Sequence, residues 1–142
     1  MFERYTERAR RSIFFARAEA GLFGSKYIER DHLLLGLLRD SPDVFRPVFR
    51  SPDAPEAIRN EYEARIPRQT PVPTSVDLPL SHPARRALAL AEEEATRLRQ
   101  GHIGVEHLML GLLRDEQSDI AQDLQRYGMT LEGMRNAAGA QS

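Results

Sequence analysis

Ile103-Gly-Val-Glu-His-Leu-Met-Leu-Gly-Leu-Leu-Arg-Asp115 repeats, at an offset of 75 residues, Ile28-Glu-Arg-Asp-His-Leu-Leu-Leu-Gly-Leu-Leu-Arg-Asp40. In both copies a carboxylate and a histidine precede a short apolar run that ends in Arg-Asp. Leucines on nearly every side predict a helix buried on most of its faces. The glycine in the middle, Gly36 or Gly111, costs roughly 1 kcal/mol of helix propensity against alanine. Such a glycine predicts the close approach of a neighbouring helix.

The repetition extends outward from this stretch. Thr6–Asp40 aligns without a gap on Ser81–Asp115, and 15 of the 35 positions are identical, among them Arg10, Arg11, Glu19, Ala20, His32, Gly36 and Arg39. Shared helix composition does not produce that many coincidences, so the chain is an internal duplication. Two units with matching apolar faces predict an all-α fold: two tandem four-helix repeats packed about a pseudo-two-fold axis. The expected organisation is one domain over residues 1–142, with repeat one at 2–66, a linker at 67–79 and repeat two at 80–138.

Local signals place the helices. Thr6 caps a first helix to about Leu22, with Gly21 and Gly24 as its stop. Ile13, Phe14, Ala16 and Ala20 fall on its apolar face. The buried helix follows, from about Asp31 to Arg39. Ser41-Pro42-Asp43 starts a short third helix, and a fourth runs from about Pro55 to Ile66. Residues 67–79 hold four prolines and no helical period, and are expected to be extended. Ser81 then caps a helix from about Pro83 to Arg99, which Gly101 breaks. The second buried helix, one from Ser118 to Arg126 ended by Gly128, and one capped by Thr130 complete the repeat. Residues 137–142 are expected to fray.

Composition narrows the function classes. A net charge of −1 and the absence of tryptophan give no basic or stacking surface, so no nucleic-acid partner is expected. No apolar run is long enough for a bilayer, and no membrane partner is expected. With no cysteine there is neither a disulfide nor a thiolate metal site, which fits the cytoplasm.

Two copies of a helix start, Thr6-Glu-Arg-Ala9 and Ser81-His-Pro-Ala84, are each followed about 20 residues later by Tyr27-Ile-Glu-Arg-Asp-His32 or His102-Ile-Gly-Val-Glu-His107 and the leucine helix. This pattern resembles the N-terminal domain of the ClpC/ClpA/ClpB-type AAA+ unfoldases over roughly residues 2–138. No Gly-x-x-x-x-Gly-Lys-Ser/Thr phosphate loop is present, so the chain is expected to be a free-standing, non-catalytic module. The resemblance implies a chaperone-type protein-interaction domain for ATP-dependent proteolysis. Its implied partners are Clp ATPase or protease subunits, adaptor proteins and substrate polypeptides.

In the ClpC-like branch the resemblance further implies a phosphoarginine site in each repeat, Thr6 with Asp31 and Ser81 with Glu106. A helix start offers free N–H groups to an anion, and a carboxylate takes a guanidinium through paired hydrogen bonds. The chain departs from the family pattern in three places: Asp31 is one methylene shorter than the family's glutamate, and Arg30 and Val105 stand where a small capping threonine precedes the acid. Arg30 is expected to reach the Asp31 carboxylate. The bland alternative is that Asp31 and Glu106 are first-turn acids facing their own helix dipoles.

His32 and His107 each adjoin an acid, but neighbours on a helix point about 100° apart and do not chelate together. They are expected to hydrogen-bond backbone and hold the loop entering the buried helix, with no metal and no cofactor. The pairs Arg10-Arg11 and Arg85-Arg86 read as solvated faces with acid partners one turn away. Phe14, Phe15, Phe23, Phe45 and Phe49 read as core, although Phe15 and Phe23 face only leucines in the second repeat and leave room for one exposed apolar patch. Two rival functions remain: an accessory or assembly factor of the Clp protease complex that reads no degron, and a small metal-dependent hydrolase using the acid–histidine pairs.

Overall fold

A computed structural model describes residues 2–140. Repeat one contains α1 (Glu7–Phe23), α2 (Arg30–Asp40), α3 (Pro42–Phe45) with a 3-10 turn at Arg46–Val48, and α4 (Ala54–Arg65). Repeat two contains α5 (His82–Arg97), α6 (Val105–Leu113), α7 (Asp119–Arg126) and α8 (Leu131–Ala140). The fold is all-α, and the two repeats face each other about the expected pseudo-two-fold axis. Some helix ends differ from the sequence reading. Gly21 lies inside α1, and Gly24, in the left-handed region at φ 69°, is the residue that stops it. At the matching place Arg99, at φ 57°, follows the end of α5, well before Gly101. Residues 137–140 belong to α8, with Ala138 fully buried, so they do not fray. The last two residues of the expected tail, 141 and 142, lie outside the described residues.

The leucine helices are the centre of the core. Leu33, Leu34, Leu35, Leu37 and Leu38 of α2 are all buried, as are Leu108, Met109, Leu110, Leu112 and Leu113 of α6. Each central glycine lies against the backbone of the helix before it. A β-carbon at Gly36 would sit 2.6 Å from the Ser12 carbonyl oxygen and 2.7 Å from the Ala16 nitrogen. One at Gly111 would overlap the Ala87 carbonyl oxygen. Thus α1 crosses α2, and α5 crosses α6, at the separation of two bare backbones.

Beneath each crossing lies a buried carboxylate held by two arginines. Glu19 is fully buried in α1; Arg39 of α2 reaches it at 3.1 Å, and Arg59 of α4 grips it with both nitrogens at 3.1 and 2.5 Å. Its counterpart Glu94 is fully buried in α5, with Arg114 of α6 at 2.9 Å and Arg135 of α8 bidentate at 2.9 Å on both oxygens. Each three-residue cluster ties three helices of one repeat together. Burial alone would push the Glu94 carboxyl up, but hydrogen bonds from Arg135 and Arg114 outweigh it and hold the group below its usual range.

The other expected pairings are partly realised. Arg11 bonds Asp40 of the next helix at 2.5 Å, rather than an acid one turn along its own helix, and Arg10 donates to the carbonyls of Phe2 and Glu3. Phe23, Phe45 and Phe49 are core, whereas Phe14 is 63% exposed and Phe15 is half-buried under the Arg39 guanidinium, 4.5 Å from the ring centre. Phe14 therefore does not belong to the inner face of α1. At the crossing itself that face is made of small residues, Ala9, Ser12, Ala16 and Ala20, which let α2 approach to backbone contact. The proline-rich stretch is extended and lies along α1: Gln69 N–H donates to Phe23 O, Val72 N–H donates to Gly21 O, and the Arg17 guanidinium holds the carbonyls of Pro73 and Val76.

Candidate functional site

The two helix starts are built alike. Thr6 and Ser81 have extended backbones, and each hydroxyl oxygen accepts the N–H of the residue three on, Ala9 at 3.0 Å and Ala84 at 3.2 Å. One orphan donor of each helix is thereby satisfied. The residues just before each cap then pair with the other repeat. Ile103 N–H donates to Arg4 O and Thr6 N–H to Ile103 O; Ile28 N–H donates to Pro79 O and Ser81 N–H to Ile28 O. These are two equivalent parallel bridges, Tyr5 with Ile103 and Leu80 with Ile28.

The bridges cross the expected site pairs. Thr6 is fastened to the segment that leads into Glu106, and Ser81 to the segment that leads into Asp31. Each helix start is thus bonded through its backbone to the segment that precedes the other repeat's acid. Sequence alignment of the repeats finds equivalent residues, and it cannot say which copy each one touches.

The histidines do what their position predicts. The Glu29 N–H donates to His32 Nδ1, and the Gly104 N–H donates to His107 Nδ1, both at 2.9 Å. An acceptor Nδ1 carries no proton, so the proton of each neutral ring is on Nε2. His107 Nε2–H meets Gln100 Oε1, and Gln100 Nε2 donates to Ala138 O at 3.5 Å. Burial, and then the nearby His102, pulls His107 down to about 4. The sign of the pH effect follows. Below pH 6.5 the unfolded chain takes a proton that folded His107 refuses. Stability therefore falls, by at most about 1.4 kcal/mol per pH unit, until the pH reaches that lowered value. We expect the His107 ring to titrate near pH 4 by NMR, with the urea midpoint dropping across the same window; a ring titrating near 6.5 would contradict this.

The two acids differ. Glu106 is nearly buried, its side chain 15% exposed, and it folds back beside Gly104, with Oε1 3.9 Å from His107 Nδ1. Asp31 makes no hydrogen bond or ion pair with any described residue. Burial raises its pKa most, with Arg65 opposing. Arg30 does not reach Asp31: its guanidinium lies 3.8 Å from Asp115 of repeat two. Adjacent helical side chains diverge, and Asp115, unlike its buried counterpart Asp40, is open to solvent.

Beside Asp31 lies a cavity of about 430 Å³, walled by Phe23, Tyr27, Glu29, His32 and Ile66. The sequence reading passed over Tyr27, Glu29 and Ser25 at this place. No signal pointed there, because residues 21–27 and 96–102 share no identity and their turns match only in backbone geometry. Among the described residues no group of three or more acids and histidines is placed to hold a metal ion, and no helix is long and apolar enough to cross a membrane.

The Clp repeat (R) N-terminal domain family matches residues 4–127. The chain is 36% identical over 129 residues to the chloroplastic chaperone protein ClpC of Pisum sativum, a match that covers 90% of this chain and 14% of that protein. Among solved structures it is similar to the N-terminal domain of the chaperone ClpD of Arabidopsis thaliana, at 26% identity and a TM-score of 0.70, covering 99% of this chain and 96% of that one. The Hsp104 N-terminal domain of Candida albicans shares the fold at 21% identity and a TM-score of 0.75, covering 96% and 89%. The chain spans 14% to 16% of the length of the curated relatives it matches. A family match over most of the chain, together with the duplicated helix starts and the glycine crossings, leads to one conclusion: this chain belongs to the Clp repeat N-terminal domain family.

Proposed function

We propose that the whole chain acts as one non-catalytic docking module of a cytoplasmic Clp ATPase/protease system, binding substrate polypeptides or adaptors, and that it reads phosphoarginine at Thr6 and Glu106. The observation that supports this reading is the crossed bridge. It fastens the N-terminus of the 17-residue α1 to the segment that leads into Glu106, which supports a rim where helix-start amides take the phosphate and the carboxylate takes the guanidinium. The Ser81 and Asp31 rim is the weaker of the two. Asp31 is one methylene shorter than glutamate, and the neighbouring Arg30 is turned to Asp115, so phosphoarginine is expected to bind there less well or not at all.

Isothermal titration with free phosphoarginine tests the proposal. A charge-assisted hydrogen bond contributes about 1.5–3 kcal/mol, so Glu106→Ala is expected to weaken binding roughly 10- to 100-fold. Asp31→Ala is expected to change it little. No heat with millimolar phosphoarginine would overturn the degron reading and leave an accessory role in the protease complex.

A further inference from the structure

Ser25 and Gln100 occupy the same place in the two repeats. Each follows a residue in the left-handed region, Gly24 at φ 69° and Arg99 at φ 57°. Each donates its N–H across 2.9 Å to an equivalent carbonyl, Ala20 O and Ala95 O. The backbones superimpose in function, but the side chains do not. In repeat two the Gln100 carboxamide is clamped: its oxygen accepts from His107 Nε2–H, and its nitrogen donates to Ala138 O. In repeat one Ser25 is too short to do this, and its hydroxyl bonds Tyr27 O instead.

The consequence falls on His32. It is 3% exposed, its Nδ1 is committed to the Glu29 N–H, and its Nε2–H has no acceptor among the described residues. The sealed-off unpaired side-chain atoms among the described residues are Arg8 Nε and Arg17 Nη1, so His32 Nε2–H stays reachable from outside and free to donate to an entering group. His32 is part of the wall of the cavity of about 430 Å³, together with the carboxylates of Asp31 and Glu29 and the rings of Phe23 and Tyr27. The wall thus offers one donor and two acidic acceptors, with Phe23 and Tyr27 beside them.

We propose that this cavity of repeat one is a carboxamide site, which takes a glutamine or asparagine side chain of a partner polypeptide in the place that Gln100 fills in repeat two. The ligand C=O accepts from His32 Nε2–H, and its NH2 donates to the acidic wall formed by Asp31 and Glu29. A carboxylate ligand is disfavoured by the same two acids, and an apolar one leaves His32 unpaired. Lys26 and Gln69 also line the cavity. The site is separate from the rim at Thr6 and Glu106 and does not depend on phosphoarginine.

Three capped tripeptides, acetyl-Ala-Gln-Ala-N-methylamide and its glutamate and norleucine analogues, serve as probes in NMR titrations of the full chain. The glutamine peptide is expected to shift the His32, Phe23 and Tyr27 resonances, with the other two at least about tenfold weaker, the size of one lost hydrogen bond to a buried donor. Ser25→Gln supplies the internal amide, and it is expected to abolish the glutamine-peptide shifts and raise the melting temperature. It leaves the phosphoarginine response at Glu106 unchanged, which separates failure here from failure of the rim reading. Equal shifts with all three peptides, no shifts with any, or full binding by Ser25→Gln would each overturn the proposal.

Discussion

Gly111→Ala is expected to lower the melting temperature by about 7 °C. The added β-carbon overlaps the Ala87 carbonyl oxygen and lies 3.0 Å from the Ala91 nitrogen. Both are backbone atoms inside α5, so no rotamer change relieves the clash. The helices α5 and α6 must separate, and the leucines packed beside the crossing lose contact with them. Overpacking of this kind costs about 3 kcal/mol, and each kcal/mol shifts the midpoint of a domain this size by roughly 3–4 °C. The gain in helix propensity, about 1 kcal/mol, is too small to compensate. Gly101→Ala is the control, because nothing lies within 4 Å of its β-carbon and its φ is not positive; it is expected to move stability by no more than about 0.5 kcal/mol. Thermal unfolding of the two variants side by side checks the argument. A Gly111→Ala protein as stable as Gly101→Ala would mean that the two helices do not cross at backbone contact.

Glu94→Ala is expected to destabilise the domain by about 3–5 kcal/mol, the loss seen when one partner of a buried charge cluster is removed. The glutamate has no exposed surface and accepts three hydrogen bonds, one from Arg114 and two from Arg135. Its removal leaves two guanidinium groups facing a hole and unties α8 from α5 and α6. Arg114 keeps only the exposed Glu93. Urea unfolding measures the loss, and a change under about 1 kcal/mol would rank the cluster with ordinary surface pairs. The acid side of the pH profile carries a second mark of the same group. The folded carboxyl titrates below its ordinary value, so its contribution is present above pH 4.5 and disappears as the pH falls through the lowered folded value. Asp123 and Glu61 are also held below their ordinary values, so the loss of stability below pH 4.5 is expected to be smaller in Glu94→Ala than in the wild-type protein, while the loss set by His107 is unchanged.

Much of the architecture was legible because the duplication is written in residues with no substitute. Gly36 and Gly111 announce a helix crossing. His32 and His107 announce a loop held by a ring nitrogen, since an imidazole at the third helical position reaches back to the N–H of the residue before the helix. Glu19 and Glu94 were visible as identities but not as buried charges. Their arginines at Arg59 and Arg135 sit on α4 and α8, outside the gap-free alignment, and a carboxylate surrounded by arginine-rich helices looks like surface until the helices are packed. Phe14 was misplaced for a related reason. Helical periodicity puts it near Ile13, but the tight glycine crossing turns α1 so that its alanines face inward and the ring faces solvent.

The sequence by itself determined that the chain is a duplicated all-α domain, that Thr6, Ser81, Ser118 and Thr130 cap four of its helices, and that the leucine helices lie at its centre, whereas the Ser41 hydroxyl read as a cap bonds Asp40 instead. These follow from local chemistry and from periodicity, which act over a few residues. Only the tertiary structure decided which repeat each helix start touches. Two hydrogen-bonded bridges between identical-looking segments join Thr6 to the Glu106 segment and Ser81 to the Asp31 segment, and a symmetric sequence contains nothing that distinguishes that pairing from the uncrossed one. The same holds for the cavity beside His32. A serine in place of a glutamine is a minor change in sequence, and it becomes an open hydrogen-bonding site only where the fold brings the turn, the histidine and the two acids to one wall.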